Sequence, residues 1–580
     1  MSQAEPLFSG FPAVDHTAWK SRVLEELKGA DYAKIVWKTP DGFAMEPWYN
    51  RRTAIPFPTV PFTRTTNRWD ICQQILADNA SRGAEAAAAA IAGGADAIEF
   101  RFTDPIQGTF ENLAALVDGI DLSKTALFFS GAIADSSTLL ANLSTIPGFA
   151  ACRGAFLNDA AQVSRALIEG CPAGYRPLAV DTGRFHAAGA TIAQELAFAL
   201  AGVSDLLSQT TTAGIDASRL AASIEIVFCT GTSHFPELAK LRAFRSMWTQ
   251  LLAAYGVPSS SCREPGLFAR ASHRTASVLD PYTNILRLST EAVSAILGGC
   301  DTLQLSSFDP VGAVSPELAD RITRNIHLLL REESGLDRVV DPASGSFYID
   351  TMTESLCRES WKLFQEIEAA GGLKQAELDG RVAAMISPAA ETREKAIHAR
   401  KRSLIGINRY TVAPSAEVTA AVSASPQAAC KAAPEFERLR IRMLTHTAAT
   451  GSTPSAAIWL HGEPATCFRV SAFAEEFLKS GGFDIRPGVM LPLETRSCRA
   501  ITQDEPDIVV LCWTGVNDLE ALPTILATMQ ELHKETVVIM AAKPPENAEA
   551  LTRTGLDQFI HLGSDAYASL LSLQHKTGVL

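Results

Sequence analysis

Two arginines and a histidine crowd one short stretch, ARASHRTASVLDPYTNILR (Ala269–Arg287): Arg270, His273 and Arg274. Guanidinium forks beside an imidazole suit an anionic group such as a carboxylate or phosphate. The other reading is a polar loop that pairs its own charges. A second stretch, AAIWLHGEPATCFRVSAFAEEF (Ala456–Phe477), ends an apolar run in His461 and places Cys467 six residues on. Either could ligate a metal, with Cys467 the weaker candidate. Only Glu463 stands near enough in sequence to orient the His461 ring, and a histidine at a strand end is commonly just hydrogen bonded. Cys229 and His234 lie five apart, but a zinc site needs three or four ligands. GSDA (Gly563–Ala566) could hold a phosphate on free helix N–H groups or could be a plain Ser/Asp cap. No histidine pair stands at HxxxH or HExxH spacing, and GxSxG, Walker A and GxGxxG motifs are absent. No metal site is expected.

Elements must place these residues. From about Trp69, short β-rich runs alternate with helical segments: WDICQQI, AIEFRF, TALFFSG, FAACRGAF, PLAVDTG, IEIVFCTG, GLFARAS and DTLQLSSF. Two junctions echo each other, AAAIAGGADAIEF and SAILGGCDTLQL, each a helix, a Gly-Gly and a strand. Alternating units of this number predict a (β/α)8 TIM barrel; a doubly wound sheet with extra strands is the alternative. Arg270, His273 and Arg274 then follow the seventh strand, on the face where barrel sites sit. The last part repeats the alternation with AAIWL, DIRPGVML, DIVVLCW, TVVIMAA and QFIHL. This is a flavodoxin-like pattern, whose ligand edge is the carboxyl ends of the strands. The expected domains are an N-terminal docking segment (1–50), the barrel (51–355), a helical region and linker (356–434) and the flavodoxin-like domain (435–580). Within the third, Val412 to Pro434 is rich in Ala, Ser and Pro and reads as a linker. In the first, Trp19, Val23, Leu24 and Leu27 form one apolar stripe that must dock on something.

The bulk numbers exclude several classes. The 580 residues carry a net charge of −13 without a Lys/Arg-rich run, so no nucleic-acid footprint exists. The opening residues lack a signal peptide's charged and apolar regions, and the most Ala-rich segment is too weak to span a bilayer. Eleven cysteines, with no CxxC pair, fit a reducing cytoplasm.

Longer motifs carry a resemblance. The run from Ala269 through SSFD at Asp309, FPELAKLRAFRSMW (Phe235–Trp248), ITRNIHLLLREES (Ile322–Ser334) and VVDPASGSFYIDTMTESLCRESWKLFQEIEAAGG (Val339–Gly372) resemble the barrel of methylmalonyl-CoA mutases. The likeness covers nearly the whole chain. It implies a barrel threaded by CoA, a helical linker and a C-terminal cobalamin-binding domain. Active members interconvert methylmalonyl-CoA and succinyl-CoA by radical rearrangement.

The same resemblance shows departures. Anchored on Gly482-Phe483-Asp484, the family's Asp-x-His-x-x-Gly cobalt-ligand motif falls on Ala465, Cys467 and Val470. Its Ser-x-Leu becomes Cys512-Trp513-Thr514, and its Gly-Gly becomes Ala541-Ala542. Two added Cβ atoms obstruct a close backbone approach to a ligand. In the barrel, the family's Gly-Tyr-His run becomes Thr182-Gly183-Arg184, with His186 two residues later. The substrate-contacting run near the barrel start becomes PFTRTTNRWD (Pro61–Asp70), without its tyrosine. The resemblance therefore implies the small, non-catalytic subunit of a heterodimeric mutase, with adenosylcobalamin in the large subunit. No catalytic residue is expected here; Arg270, His273 and Arg274 would line a vestigial acyl-CoA pocket. The alternatives are a self-sufficient cobalamin-dependent acyl-CoA mutase with atypical ligation and an acyl-CoA-binding regulatory protein.

Overall fold

The computed structural model describes residues 14–57, 64–104, 108–160, 163–513, 521–546 and 548–580. It divides into two compact units. One comprises Met1–Ala269, Val293–Gln304 and Leu330–Ile386; the other comprises Arg270–Ala292, Leu305–Leu329 and Ser387–Leu580.

The first unit opens with a helix, His16–Glu26, whose N-cap Asp15 accepts from the Ala18 N–H at 2.8 Å. The helix buries no residue. Its stripe is only lightly used: Trp19 packs on Trp48 and His16, with ring centroids 5.1 and 5.4 Å away, while Leu24 stays exposed. A small antiparallel pair follows, β1 (Trp37–Lys38) and β2 (Ala44–Met45).

The barrel strands are β3 (Asp70–Leu76), β4 (Ala97–Phe102), β5 (Ala126–Gly131), β6 (Gly154–Phe156), β7 (Tyr175–Arg176), β8 (Leu178–Asp181), β9 (Ile224–Thr230), β10 (Gly266–Ala271) and β11 (Thr302–Gln304). They form one sheet in the order β7-β6-β5-β4-β3-β11-β10-β9-β8. Only Pro177 separates β7 from β8, so the two ends of that order are halves of one interrupted strand. The halves pair with different neighbours, β7 with β6 and β8 with β9. An isolated bridge, Asp159 to Ala179, brings the ends together. The result is a TIM-like barrel built on the eight runs read from the sequence. Parallel strands covered on both faces need continuous apolar character, and five of the six β4 residues are buried. Inside the ring, Cys72, Ala97, Phe128, Ala155, Val227 and Phe268 pack together. Gly154 has φ +138°, and a Cβ there would lie 1.8 Å from the Leu127 carbonyl oxygen. Only glycine fits so near a neighbouring strand.

The second unit contains a wholly parallel sheet. Its strands are β12 (Ser455–His461), β13 (Asp484–Ile485), β14 (Val489–Met490), β15 (Ile508–Trp513), β16 (Val537–Met540) and β17 (Gln558–Phe559). The order is β13-β12-β15-β16-β17, with β14 also on β12. Side chains alternate between two cores: Ile458, Val510 and Ile539 on one face, Trp459, Leu511 and Met540 on the other. DIRPGVML, read as one strand, is two short ones, because Pro487 and Gly488 interrupt the ladder. The Ala/Ser/Pro-rich stretch is helical, not an open linker. Helices Ala416–Ala424 and Pro426–Ala432 bury Val418, Val422 and Ala429 against Val278, Leu279 and Ile441.

Candidate functional site

Asp181 ends β8, and its Oδ1 accepts from the Gly183 N–H at 2.8 Å. A Cβ on Gly183 would come 2.9 Å from that oxygen, so a larger side chain would force Asp181 aside. Arg184, in the helix Gly183–Ala188, is half-exposed but tied down. It pairs with Asp159 at 3.0 Å and with Glu377, and its guanidinium lies over the Phe185 ring. His186 turns inward and is buried, Nδ1 2.6 Å from Glu195 Oε1.

Behind His186 lies a charge cluster that the sequence reading missed. Lys240, fully buried on the helix His234–Ala254, reaches Glu237 at 2.6 Å and Glu195 at 3.2 Å. Its ammonium also donates to the Cys229 carbonyl at the end of β9. Burial opposes charge on Lys240, yet Glu195 and Glu237 push its pKa up. Burial likewise opposes the Glu195 carboxylate, but Lys240 and His186 hold its carboxyl below the usual range. Asp41 accepts from the Ala193 N–H at 2.7 Å, and burial pushes its carboxyl up. The arrangement is a closed ionic network that fixes the carboxyl end of β9 to a first helical turn. The available signal was Glu237 and Lys240, three apart on one helix face.

The Cys229 and His234 pair does not assemble as a metal site among the described residues: His234 Nδ1 is 2.8 Å from Ser294 Oγ, and burial lowers its pKa. In the second unit, His273 is exposed, with Nε2 3.0 Å from Ser306 Oγ; Arg270 and Arg274 are half-buried nearby in sequence. The following loop is clamped. Buried Glu437 accepts from Ser277 Oγ at 2.5 Å and from the Val278 and Leu279 N–H groups at 2.8 and 3.0 Å. Burial pushes the Glu437 carboxyl up despite these bonds.

At the carboxyl ends of the second sheet, the turn after β12 is only two residues long. The helix Pro464–Lys479 starts at once, with Glu463 as N-cap accepting from Ala465 and Thr466 N–H groups at 3.1 and 2.8 Å. Those bonds, to Thr466 first, hold the Glu463 carboxyl below the usual range. Ala465, Cys467 and Val470 thus all lie in regular helix. Cys467 is completely buried, and its thiol donates to the His461 carbonyl at 3.1 Å. Val470 packs against the core. His461 Nδ1 is 3.3 Å from the Leu491 carbonyl oxygen. Trp513 is buried edge-on to Trp459, centroids 5.7 Å apart, and to His461 at 6.2 Å. Burial, with Cys467 beside it, pushes the Cys512 thiol up to about 12. Ala541 is buried and Ala542 packs against the second core. Thr514 lies outside the described residues.

The sequence model of methylmalonyl-CoA mutase matches residues 163–448. The chain is 29% identical to the methylmalonyl-CoA mutase small subunit of Porphyromonas gingivalis, over 100% of this chain and 99% of that one. It is 27% identical to the small subunit of Streptomyces virginiae, over 99% and 98%. The chain belongs to the methylmalonyl-CoA mutase family. A methylmalonyl-CoA mutase from Rhizobium meliloti is 34% identical over 41% of this chain and 33% of its own. The mutase resemblance read from the barrel motifs is therefore correct, and the reaction class of the family is isomerisation.

Two further features of this mutase-family chain were not anticipated. Glu394, His398 and Glu435 bring their ligand-type atoms within 4.8 Å of one another; the i, i+4 spacing in ETREKAIH was the visible sign. In the first unit, Ile35, Trp37, Trp48, Phe235 and Phe347 line an open cleft of 590 Å³. Asp565 accepts from the Ala568 N–H at 2.9 Å, which is the plain cap offered for GSDA. All eleven cysteines are free thiols. No described helix is long and apolar enough to cross a membrane.

Proposed function

We propose that this chain is the small, non-catalytic subunit of a heterodimeric methylmalonyl-CoA mutase. Its second sheet would be a flavodoxin-like domain of the cobalamin-binding type that no longer holds the cofactor. If β13 and β14 count as one strand, the order is 2-1-3-4-5, which is the flavodoxin order. Full-length relatives named small subunits support the assignment.

One observation carries the reading. The position that the resemblance gives to the cobalt ligand holds Cys467, sealed in a helix and bonded to its own strand end. Ala465 offers no carboxylate to orient a ligand. Trp513 puts an indole, and Ala541 and Ala542 put methyl groups, where a nucleotide tail needs room. These residues do not fit a corrinoid, so we assign adenosylcobalamin to the large subunit. The barrel supports the same conclusion. Arg184 is engaged by Asp159 and Glu377 where the family has its catalytic histidine, and Gly183 stands where it has tyrosine. Arg270, His273 and Arg274 remain as a vestigial acyl-CoA pocket. Interconversion of methylmalonyl-CoA and succinyl-CoA then belongs to the partner, in the cytoplasm.

Co-expression with a cobalamin-binding large subunit tests this. The expected result is a heterodimer by sizing with one corrinoid per pair, and no corrinoid spectrum or turnover from this chain alone. Stoichiometric uptake of adenosylcobalamin by the isolated chain, with turnover, would overturn the proposal in favour of atypical ligation. Calorimetric binding of an acyl-CoA without any association with the large subunit would favour a regulatory protein.

A further inference from the structure

Glu394 and His398 stand one turn apart near the end of the helix Arg381–His398, and Glu435 begins the helix Glu435–Thr450. The Glu394 and Glu435 carboxyl groups approach each other between the two helices, their ligand-type atoms within 4.8 Å. Two carboxylates held that close repel each other as anions, and a cation between them relieves the repulsion. His398 completes the set, with Nε2 3.3 Å from Glu435 Oε2. A tetrahedral ion with bonds of about 2.0 Å sets its ligand atoms roughly 3.3 Å apart. The imidazole is held in place: its ring stacks on Tyr567 at 4.4 Å with an interplanar angle of 12°. Glu394 is exposed, and His398 and Glu435 are half-buried, which leaves an approach for an ion and for a water ligand. Arg438 acts on Glu435, and Arg442 bonds Tyr567, so the surroundings are not purely acidic; Glu391 adds a third carboxylate beside Glu394.

We propose that Glu394, His398 and Glu435 bind one divalent cation of the zinc class, with water completing the shell. One imidazole and two carboxylates from two helices suit a borderline cation that accepts both nitrogen and oxygen donors. The ion joins the end of the helix Arg381–His398 to the first turn of the helix Glu435–Thr450, so it acts as a structural tie within the second unit. This site does not depend on the subunit assignment.

The test is zinc binding to the full chain, stripped with chelator and titrated with zinc chloride against a chromophoric competitor. The wild-type chain is expected to bind one zinc ion more tightly than His398→Ala by at least about tenfold. Glu394→Gln, at an exposed position that does not endanger folding, is expected to weaken the same ion about tenfold. Zinc is expected to raise the thermal midpoint of the wild type and not that of His398→Ala. Zinc held by scattered thiols would be equal in all three chains. Equal affinity and stoichiometry in the wild type and Glu394→Gln would overturn the proposal, whatever His398→Ala does.

Discussion

Lys240 stands between two buried carboxylates, Glu195 and Glu237, and none of the three is exposed to water. Breaking such a set by removing one member leaves charge buried without compensation, at a cost of about 3–5 kcal/mol. Lys240→Met is therefore expected to lose that much stability in urea unfolding. Glu225 gives a pH-dependent counterpart. It is buried, with Arg176 at 3.0 Å, and burial outweighs Arg176 to push its carboxyl up to about 7. The folded chain thus holds a proton between the ordinary carboxyl range and about pH 7 that the unfolded chain has released. Stability contributed here is present at low pH and falls as pH rises through that window. Glu225→Gln is expected to match the wild type at pH 5 and to exceed it at pH 8 by up to about 3 kcal/mol, read from denaturant midpoints. Residue types at the candidate sites were legible in the sequence: arginine at 184, cysteine at 467, alanine at 541 and 542. Their partners were not. Nothing near Arg184 in the chain announces Glu377, nearly two hundred residues on, because ion pairs of that kind exist only once the fold has closed.

Among the elements, the barrel runs were legible because continuous apolar character survives in any covered parallel strand. The stretch from Val412 to Pro434 was not, because its composition resembles that of a spacer. Spacing held the information: Val418 and Val422, and Ala429 and Ala433, are four apart, and each pair faces one core. A packed helix resists proteases where a spacer is cut. Limited proteolysis should leave this stretch intact in the wild type and cut it in Val422→Asp, since an aspartate there would bury a charge among apolar side chains. Breaks at proline were also hard to see. DIRPGVML has a strand's composition, but Pro487 lacks the N–H a ladder needs. After β12, the Glu463 cap settles where the next helix begins, a detail that a Glu-Pro pair hints at and only geometry fixes.

At the scale of the molecule, one apolar surface is exposed among the described residues. Val14, Leu24, Trp37, Trp48, Phe235 and Phe347 are exposed large apolar residues of the first unit. Trp37, Trp48, Phe235 and Phe347 line one cleft, and contiguous apolar surface on a folded chain marks an interaction site. On the proposed subunit reading, the N-terminal segment is where the large subunit would be gripped. Removing residues 1–40 is expected to reduce co-purification of the large subunit, assayed by pull-down and sizing; undiminished recovery would count against that grip. The barrel itself has an uneven perimeter. Between β4 and β5 six residue pairs are in register, whereas β6 meets β7 through two pairs and reaches β8 by a single bridge. A ring held so sparsely along one line should breathe there first. Amide protons flanking Pro177 should then exchange with deuterium sooner than those of β4. The enclosure is a zipped cylinder whose fastener is a residue unable to donate.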